Sequence, residues 1–175
     1  MRGLPTSDPL TVLLEHNHWA TRRVLDFCRR VTPEQFHQRF EIGHGTLHDT
    51  LLHLIACMRS WADYTAGRAV RPSMEPPGPC FTVEELSRLL DDASDDLRGL
   101  IEQSRDKLAE PIYATLGGTR CTFTRGVALT HALVHGTHHR AQCLNMLRHL
   151  NVPGVSDDLP DLDVNDWQYE TETKS

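Results

Sequence analysis

Histidines are the residues of this sequence whose number and spacing most suggest chemistry. The chain of 175 residues contains 11 of them, and four lie between His131 and His139. Residues four apart in a helix lie on the same face, one turn along. Two pairs are therefore available, His131 with His135 and His135 with His139. Either pair could hold one divalent ion from a single rigid element.

A helical wheel drawn over residues 126–150 favours the second pair. The sector that contains His135 and His139 also holds small and apolar residues: Ala128, Ala132, Cys143, Met146 and Leu150. Such a sector can face a core and leave room for an ion. His131 and His138 lie on a more lateral face. We therefore expect His135 and His139 to be metal ligands, and His131 and His138 to have supporting or surface roles.

A third ligand must come from another element, because a catalytic zinc site usually takes three protein ligands and a water molecule. The stretch over residues 44–54 offers His44, His48 and His53. The wheel places His48 and His53 on opposite shoulders of an apolar stripe, so periodicity does not choose between them. Judged by spacing alone, it is equally possible that these histidines bind no metal and only pack in the core or lie at the surface.

The elements that must position these residues are helices. Apolar residues at helical spacing predict long helices over residues 9–30, 46–66, 82–107 and 126–150. Residues 68–81 contain four prolines, which favour an irregular crossover loop. Four helices joined by one long loop are typical of a bundle with a non-trivial order of helices.

Two shorter elements and the C-terminal segment complete the predicted architecture. A threonine cap followed by proline predicts a short helical turn at Thr32–Gln35. The pair Gly117–Gly118 predicts a short β-hairpin before the last long helix. The expected fold class is therefore all-α, with one domain over residues 1–165. Residues 166–175 are polar and acidic, and we expect a frayed tail there.

Composition narrows the class of protein. The formal net charge of −6 and the lack of a basic stripe argue against a nucleic-acid partner. No apolar run approaches the roughly 18 residues of a membrane span. Five cysteines without close spacing, and no signal-peptide pattern at the N-terminus, favour reduced thiols and a cytoplasmic location.

Three stretches of the sequence resemble the DinB/YfiT-like superfamily, a group of metalloenzyme-like bundles. These stretches are His18–Ala20, Gly45–Ile55 and His135–Gln142. The segment Leu159–Asp163 is also similar to the ending of that superfamily, so the resemblance covers roughly residues 10–165.

The resemblance implies a specific site and fold. It selects His53 rather than His48 as the partner of His135 and His139 in a three-histidine metal site. It also implies an up-down-down-up four-helix bundle, a homodimer, and zinc or nickel as the bound ion. The chain departs from the superfamily pattern at Ala141, where glycine is usual, and alanine suits a helix interior well.

Five further residues could support such a site. Asp49, Gln142 and Asn17 could orient the imidazoles through their second ring nitrogen, or could be ordinary polar residues at helix shoulders. Cys57 and Cys143 each lie four residues after a predicted ligand. Either thiol could be a fourth ligand or a redox-sensitive neighbour, or a small buried hydrophobic residue, which is the commoner role.

The resemblance also implies a function. Related proteins include transferases and isomerases that use low-molecular-weight thiols such as bacillithiol or mycothiol. The predicted activity is therefore that of a metal-dependent thiol S-transferase or hydrolase acting on a small-molecule substrate. The alternative is a non-catalytic, stress-related bundle that binds a metal or a ligand. The sequence has no P-loop, GxGxxG or serine–histidine–acid pattern.

Overall fold

A computed structural model describes residues 8–173 of the chain, except for the side chain of residue 172. Its elements in chain order are α1 (Pro9–Cys28), α2 (Pro33–Phe36), α3 (Leu47–Ala66), α4 (Val83–Ser104), β1 (Pro111–Leu116), β2 (Thr119–Thr124), α5 (Arg125–His149) and α6 (Val164–Thr173). The strands β1 and β2 form an antiparallel hairpin. The predicted helical bundle with a hairpin before the last long helix is confirmed.

Threonine caps determine where three of the long helices begin. Thr46, Thr82 and Thr124 each accept a hydrogen bond from the backbone N–H three residues further on. The Glu85 carboxylate accepts a hydrogen bond from the backbone N–H of Thr82, which completes a capping box. Gly67 ends α3 in the left-handed conformation, with φ of 67°. These local signals set the ends of α3 and the starts of α4 and α5.

Contacts at the helix ends reveal the directions of α3, α4 and α5. The Arg125 guanidinium, at the start of α5, donates to the carbonyl oxygen of Thr65, near the end of α3, at 2.7 Å. These two helices are therefore antiparallel. The backbone N–H of Phe81, just before α4, donates to Nε2 of His48, at the start of α3, at 3.1 Å. The helices α3 and α4 therefore run in the same direction.

The direction of α1 completes the topology. Arg98, late in α4, donates from Nε to Oε1 of Glu15, early in α1, at 3.0 Å, so α1 and α4 are antiparallel. Both α1 and α3 pack against α4 and α5. The four long helices therefore run up, down, down and up, as the resemblance implied.

The core lies between these four helices. Its largest fully buried side chains are mostly leucines: Leu14, Leu25, Leu47, Leu51, Leu52, Leu54, Leu86, Leu90, Leu97 and Leu129. Full burial of one such side chain stabilises the fold by roughly 1.5–3 kcal/mol. Within residues 8–173, no helix combines the length and apolarity needed to cross a membrane.

The C-terminal segment differs from its prediction. Residues Val164–Thr173 form α6, and Trp167 is only 7% exposed. The Trp167 ring packs edge-on against His16 of α1, with the ring centroids 6.3 Å apart. The predicted frayed tail is therefore corrected for residues 166–173, because one aromatic anchor holds an otherwise polar helix. Residues 1–7 and 174–175 of the predicted domain and tail lie outside the described residues.

Candidate metal centre

The antiparallel pairing of α3 and α5 brings the three predicted ligands together. The ring centroid of His53 lies 5.3 Å from that of His135 and 4.8 Å from that of His139. Nε2 of His135 and Nε2 of His139 are 3.2 Å apart. Two nitrogens that share one tetrahedral zinc ion lie about 3.3–3.4 Å apart, given zinc–nitrogen bonds of about 2.0–2.1 Å. The spacing of the α5 pair therefore suits one shared ion.

A fourth histidine, His44, reaches the same cluster from the loop before α3. Its ring stacks on that of His53, with the centroids 3.8 Å apart and an angle of 23° between the planes. One ligand nitrogen from each of His44, His53 and His139 lies within 4.8 Å of the other two. His44 was one of three predicted candidates for the third ligand but was not the one selected. The sequence feature that could have pointed to His44 is the pair of glycines that flank it, Gly43 and Gly45.

The glycine at position 43 lets this loop approach the cluster closely. A Cβ atom at Gly43 would lie 2.8 Å from Oε1 of Gln142 and 2.9 Å from Oγ1 of Thr50, and its φ is 54°. The backbone N–H of His44 donates to Oγ1 of the same threonine at 3.1 Å. The backbone of the loop is therefore held against both α3 and α5.

Two polar side chains orient histidines of the cluster. Nδ1 of His53 lies 2.6 Å from Oε1 of Glu75, and Nδ1 of His139 lies 2.8 Å from Oε1 of Gln142. Both oxygens accept, so each Nδ1 carries the proton and each Nε2 keeps a free lone pair. Gln142 was a predicted partner. Glu75 was missed, and its only signal is that it is the sole acidic residue in the proline-rich loop.

Asp49 and Asn17 lie elsewhere than predicted. The Asp49 carboxylate accepts from Nδ1 of His48 at 2.8 Å, so it orients a histidine that the resemblance did not select. Oδ1 of Asn17 accepts from the Arg140 guanidinium, and its Nδ2 lies 3.4 Å from the sulfur of Met58. The structure therefore corrects both roles: these side chains do not orient the imidazoles of the cluster.

The two cysteines occupy different environments. Cys57 belongs to a second group, with His131 and His135, whose potential ligand atoms lie within 4.8 Å of one another. Burial, and after it the negative charge of Glu75, raises the pKa of the Cys57 thiol to about 12. Cys143 is fully buried in the apolar core, and burial raises the pKa of its thiol to about 12. Cys143 therefore behaves as a core residue.

Three histidines of the cluster, His44, His135 and His139, are held in their neutral form. Burial lowers the pKa of His135 and His139 to about 4, and the neighbouring imidazoles act in the same direction. Burial, followed by the proximity of His53, also lowers the pKa of His44. At neutral pH these rings are uncharged, and neutral imidazole is the form that binds metal ions. The cluster can therefore offer several nitrogen lone pairs to one cation.

Comparisons with known proteins identify the family of this chain. Protein DinB of Bacillus subtilis (strain 168) is 23% identical over 151 residues, which make up 81% of this chain and 86% of that protein. A model of the DinB family matches residues 6–172, nearly the whole chain. The chain therefore belongs to the DinB family.

Proposed function

We propose that this protein binds one divalent metal ion through His53, His135 and His139 and acts as a metal-dependent thiol S-transferase or a related hydrolase. The observation that carries the proposal is the 3.2 Å separation between Nε2 of His135 and Nε2 of His139, with the ring of His53 beside both. The hydrogen bonds that Nδ1 of His53 and Nδ1 of His139 donate support it, since they leave the lone pair of each ring on Nε2.

The donor set fits zinc or nickel. Imidazole nitrogen suits both ions, and three neutral ligands leave the charge of the ion undiminished. When bound, such an ion supplies Lewis acidity that lowers the pKa of a water molecule or a thiol to near neutrality. The residues of the chain hold the ion, keep protons on the two Nδ1 atoms, and shape the approach of a substrate.

A cleft beside the cluster offers space for a small molecule. It has a volume of about 580 Å³ and is lined by residues 39–45, including His44. Ligand pockets usually measure roughly 300–1,000 Å³. We propose that a low-molecular-weight thiol or its electrophilic partner enters here. The homodimer and the cytoplasmic location stay predictions.

The second candidate function is a non-catalytic metal-binding bundle. It is favoured by the presence of His44, because a site closed by four protein ligands is typical of structural metal ions. The two functions differ in whether an exogenous molecule can reach the ion.

The test begins with elemental analysis of protein purified without a metal-affinity tag, beside the His139→Gln variant. We expect about one equivalent of zinc or nickel in the original chain and almost none in the variant. A screen of low-molecular-weight thiols against electrophilic and hydrolysable substrates then follows. Absence of metal from the original chain would refute the proposal, and metal without any turnover would favour the non-catalytic bundle.

A further inference from the structure

His44 differs from the three proposed ligands in the kind of element that carries it. His53, His135 and His139 project from the long helices α3 and α5, and His139 is only 6% exposed. His44 lies in the loop before α3, and its side chain is exposed. It nevertheless brings a ring nitrogen within 4.8 Å of ligand nitrogens of His53 and His139. The cluster therefore combines three histidines held on helices with one exposed histidine from a loop.

The backbone of this loop is fixed, so only the side chain of His44 is free to move. Its own N–H is held by Thr50, and the backbone N–H of Gly45 donates to the carbonyl oxygen of Ile42 at 2.9 Å. Gly43 leaves no space for a side chain against Gln142. Rotation about the first side-chain torsion of His44 is therefore the available motion, and such rotations of exposed side chains are fast.

The cleft on the loop side of the cluster has space for the ring of His44 after it rotates. Its lining includes His44 itself, together with Arg39 and Phe40. The ring of His44 stacks on that of His53, and His44 also lines the cleft, which none of the three proposed ligands does. A molecule that enters the cleft meets this ring before it meets His53 or His139.

We propose that His44 is a displaceable fourth ligand, which completes the coordination of the ion and yields its place to an incoming thiol or other small ligand. This inference rests on the proposed three-histidine site. It reconciles the two candidate functions, because the site is closed by four histidines at rest and opens when the side chain of one of them rotates. His44 then sets how strongly a ligand must bind to gain access.

Cobalt(II), a spectroscopic probe for zinc and nickel sites, tests the inference without an activity assay. The chain, His44→Ala and the control His37→Ala are loaded with cobalt(II) chloride and their visible spectra are compared. His37 is an exposed histidine in the same connection between α1 and α3. We expect His44→Ala to change the ligand-field bands and His37→Ala to leave them unchanged. Added imidazole should restore the original spectrum of His44→Ala.

A titration with 2-mercaptoethanol then measures displacement. A sulfur-to-cobalt charge-transfer band should appear in both proteins, at a concentration about tenfold lower in His44→Ala, because the ligand no longer competes with a protein side chain.

Three results would overturn the inference in distinguishable ways. Identical spectra and identical titrations in the two proteins would mean that His44 does not bind the ion. Loss of cobalt from His44→Ala, to the extent seen in His139→Gln, would make His44 a permanent ligand rather than a displaceable one. Failure of the original chain to bind cobalt would refute the proposed metal site itself, and this inference with it.

Discussion

Helix α3 carries two polar clusters of opposite character, one partly exposed and one buried around Asp63. The first surrounds His53, and the second surrounds Asp63, about 15 Å further along the helix at 1.5 Å per residue. The Asp63 side chain is fully buried, and both of its oxygens are hydrogen-bonded. Arg68 donates to one oxygen, and the backbone N–H of Arg71 donates to the other. Asp96 pairs with the Arg71 guanidinium, so two carboxylates balance the two arginines.

The two clusters differ in whether their polar groups are fully paired within the chain. Burial by itself would raise the pKa of Asp63, but the hydrogen bonds from Arg71 and Arg68 more than offset it and lower that pKa. This network satisfies its own charges. The histidine cluster instead directs neutral ring nitrogens at one another, and Nε2 of His135 faces Nε2 of His139. Without an ion, this contact is a hydrogen bond in which Nε2–H of His135 donates to Nε2 of His139; a divalent ion would instead take a lone pair from both rings, whereas the Asp63 network is complete without one.

The largest expected effect comes from breaking the complete network. Asp63→Ala leaves two arginines without their buried partner, and we expect the free energy of unfolding to fall by about 3–5 kcal/mol. Urea denaturation measures it. The control is Asp95→Ala on α4, whose side chain is 76% exposed and pairs with Arg98; a change within about 0.5 kcal/mol is expected there. Equal losses in both variants would remove the contrast between the two clusters.

The next effect is on metal affinity. His139→Gln removes one of the proposed ligands, and we expect affinity for zinc to fall by more than about 100-fold, beyond the range for loss of an outer partner. Isothermal titration calorimetry measures it, with His149→Gln, an exposed histidine at the end of the same helix, as the control. Unchanged affinity in His139→Gln would show that the ion, if any, binds elsewhere.

A smaller effect is expected from the partner of His53. Glu75→Ala removes the acceptor of the Nδ1 proton, so the ring loses its fixed tautomer and orientation, and zinc affinity should fall about 10–100-fold. Glu84→Ala provides the comparison, because Glu84 is an exposed acid that pairs with Arg29 at the surface, away from the cluster. If both substitutions have the same effect, Glu75 acts through overall charge and not through His53.

The pH dependence of the metal-free chain gives the most gradual effect, and close to neutral pH it is also the smallest. The pKa of His135 and His139 is about 4 in the folded chain and near 6.5 when unfolded. Between pH 6.5 and about pH 4, the unfolded chain binds protons at these two histidines and the folded chain does not. The free energy of unfolding therefore falls as the pH is lowered through this range. Above pH 6.5 neither ring contributes. Replacing both histidines by glutamine should flatten the dependence, and an unchanged slope would contradict it.

Local sequence features determined much of the fold. The apolar periodicity predicted the long helices with bounds that agree with the structure to within three residues, and threonine caps and Gly67 set several of the observed ends. The spacing of His135 and His139 placed both rings on one face, because the helical repeat is a property of the chain itself. The choice of His53 over His48 needed the family resemblance, since both lie on the same helix at the edges of its apolar stripe.

Which side chains meet across different elements depends on how those elements pack. His44 and Glu75 reach the cluster from loops, and no periodic pattern relates a loop residue to a distant helix. Asp49 was near His53 by spacing, yet it bonds to His48. Trp167 anchors α6 by contact with α1, which a polar local composition does not reveal. The sequence by itself thus determined the helices and the histidine pair on α5, because those depend on neighbours along the chain. The loop partners depend on how the helices pack, and packing is a property of the whole molecule.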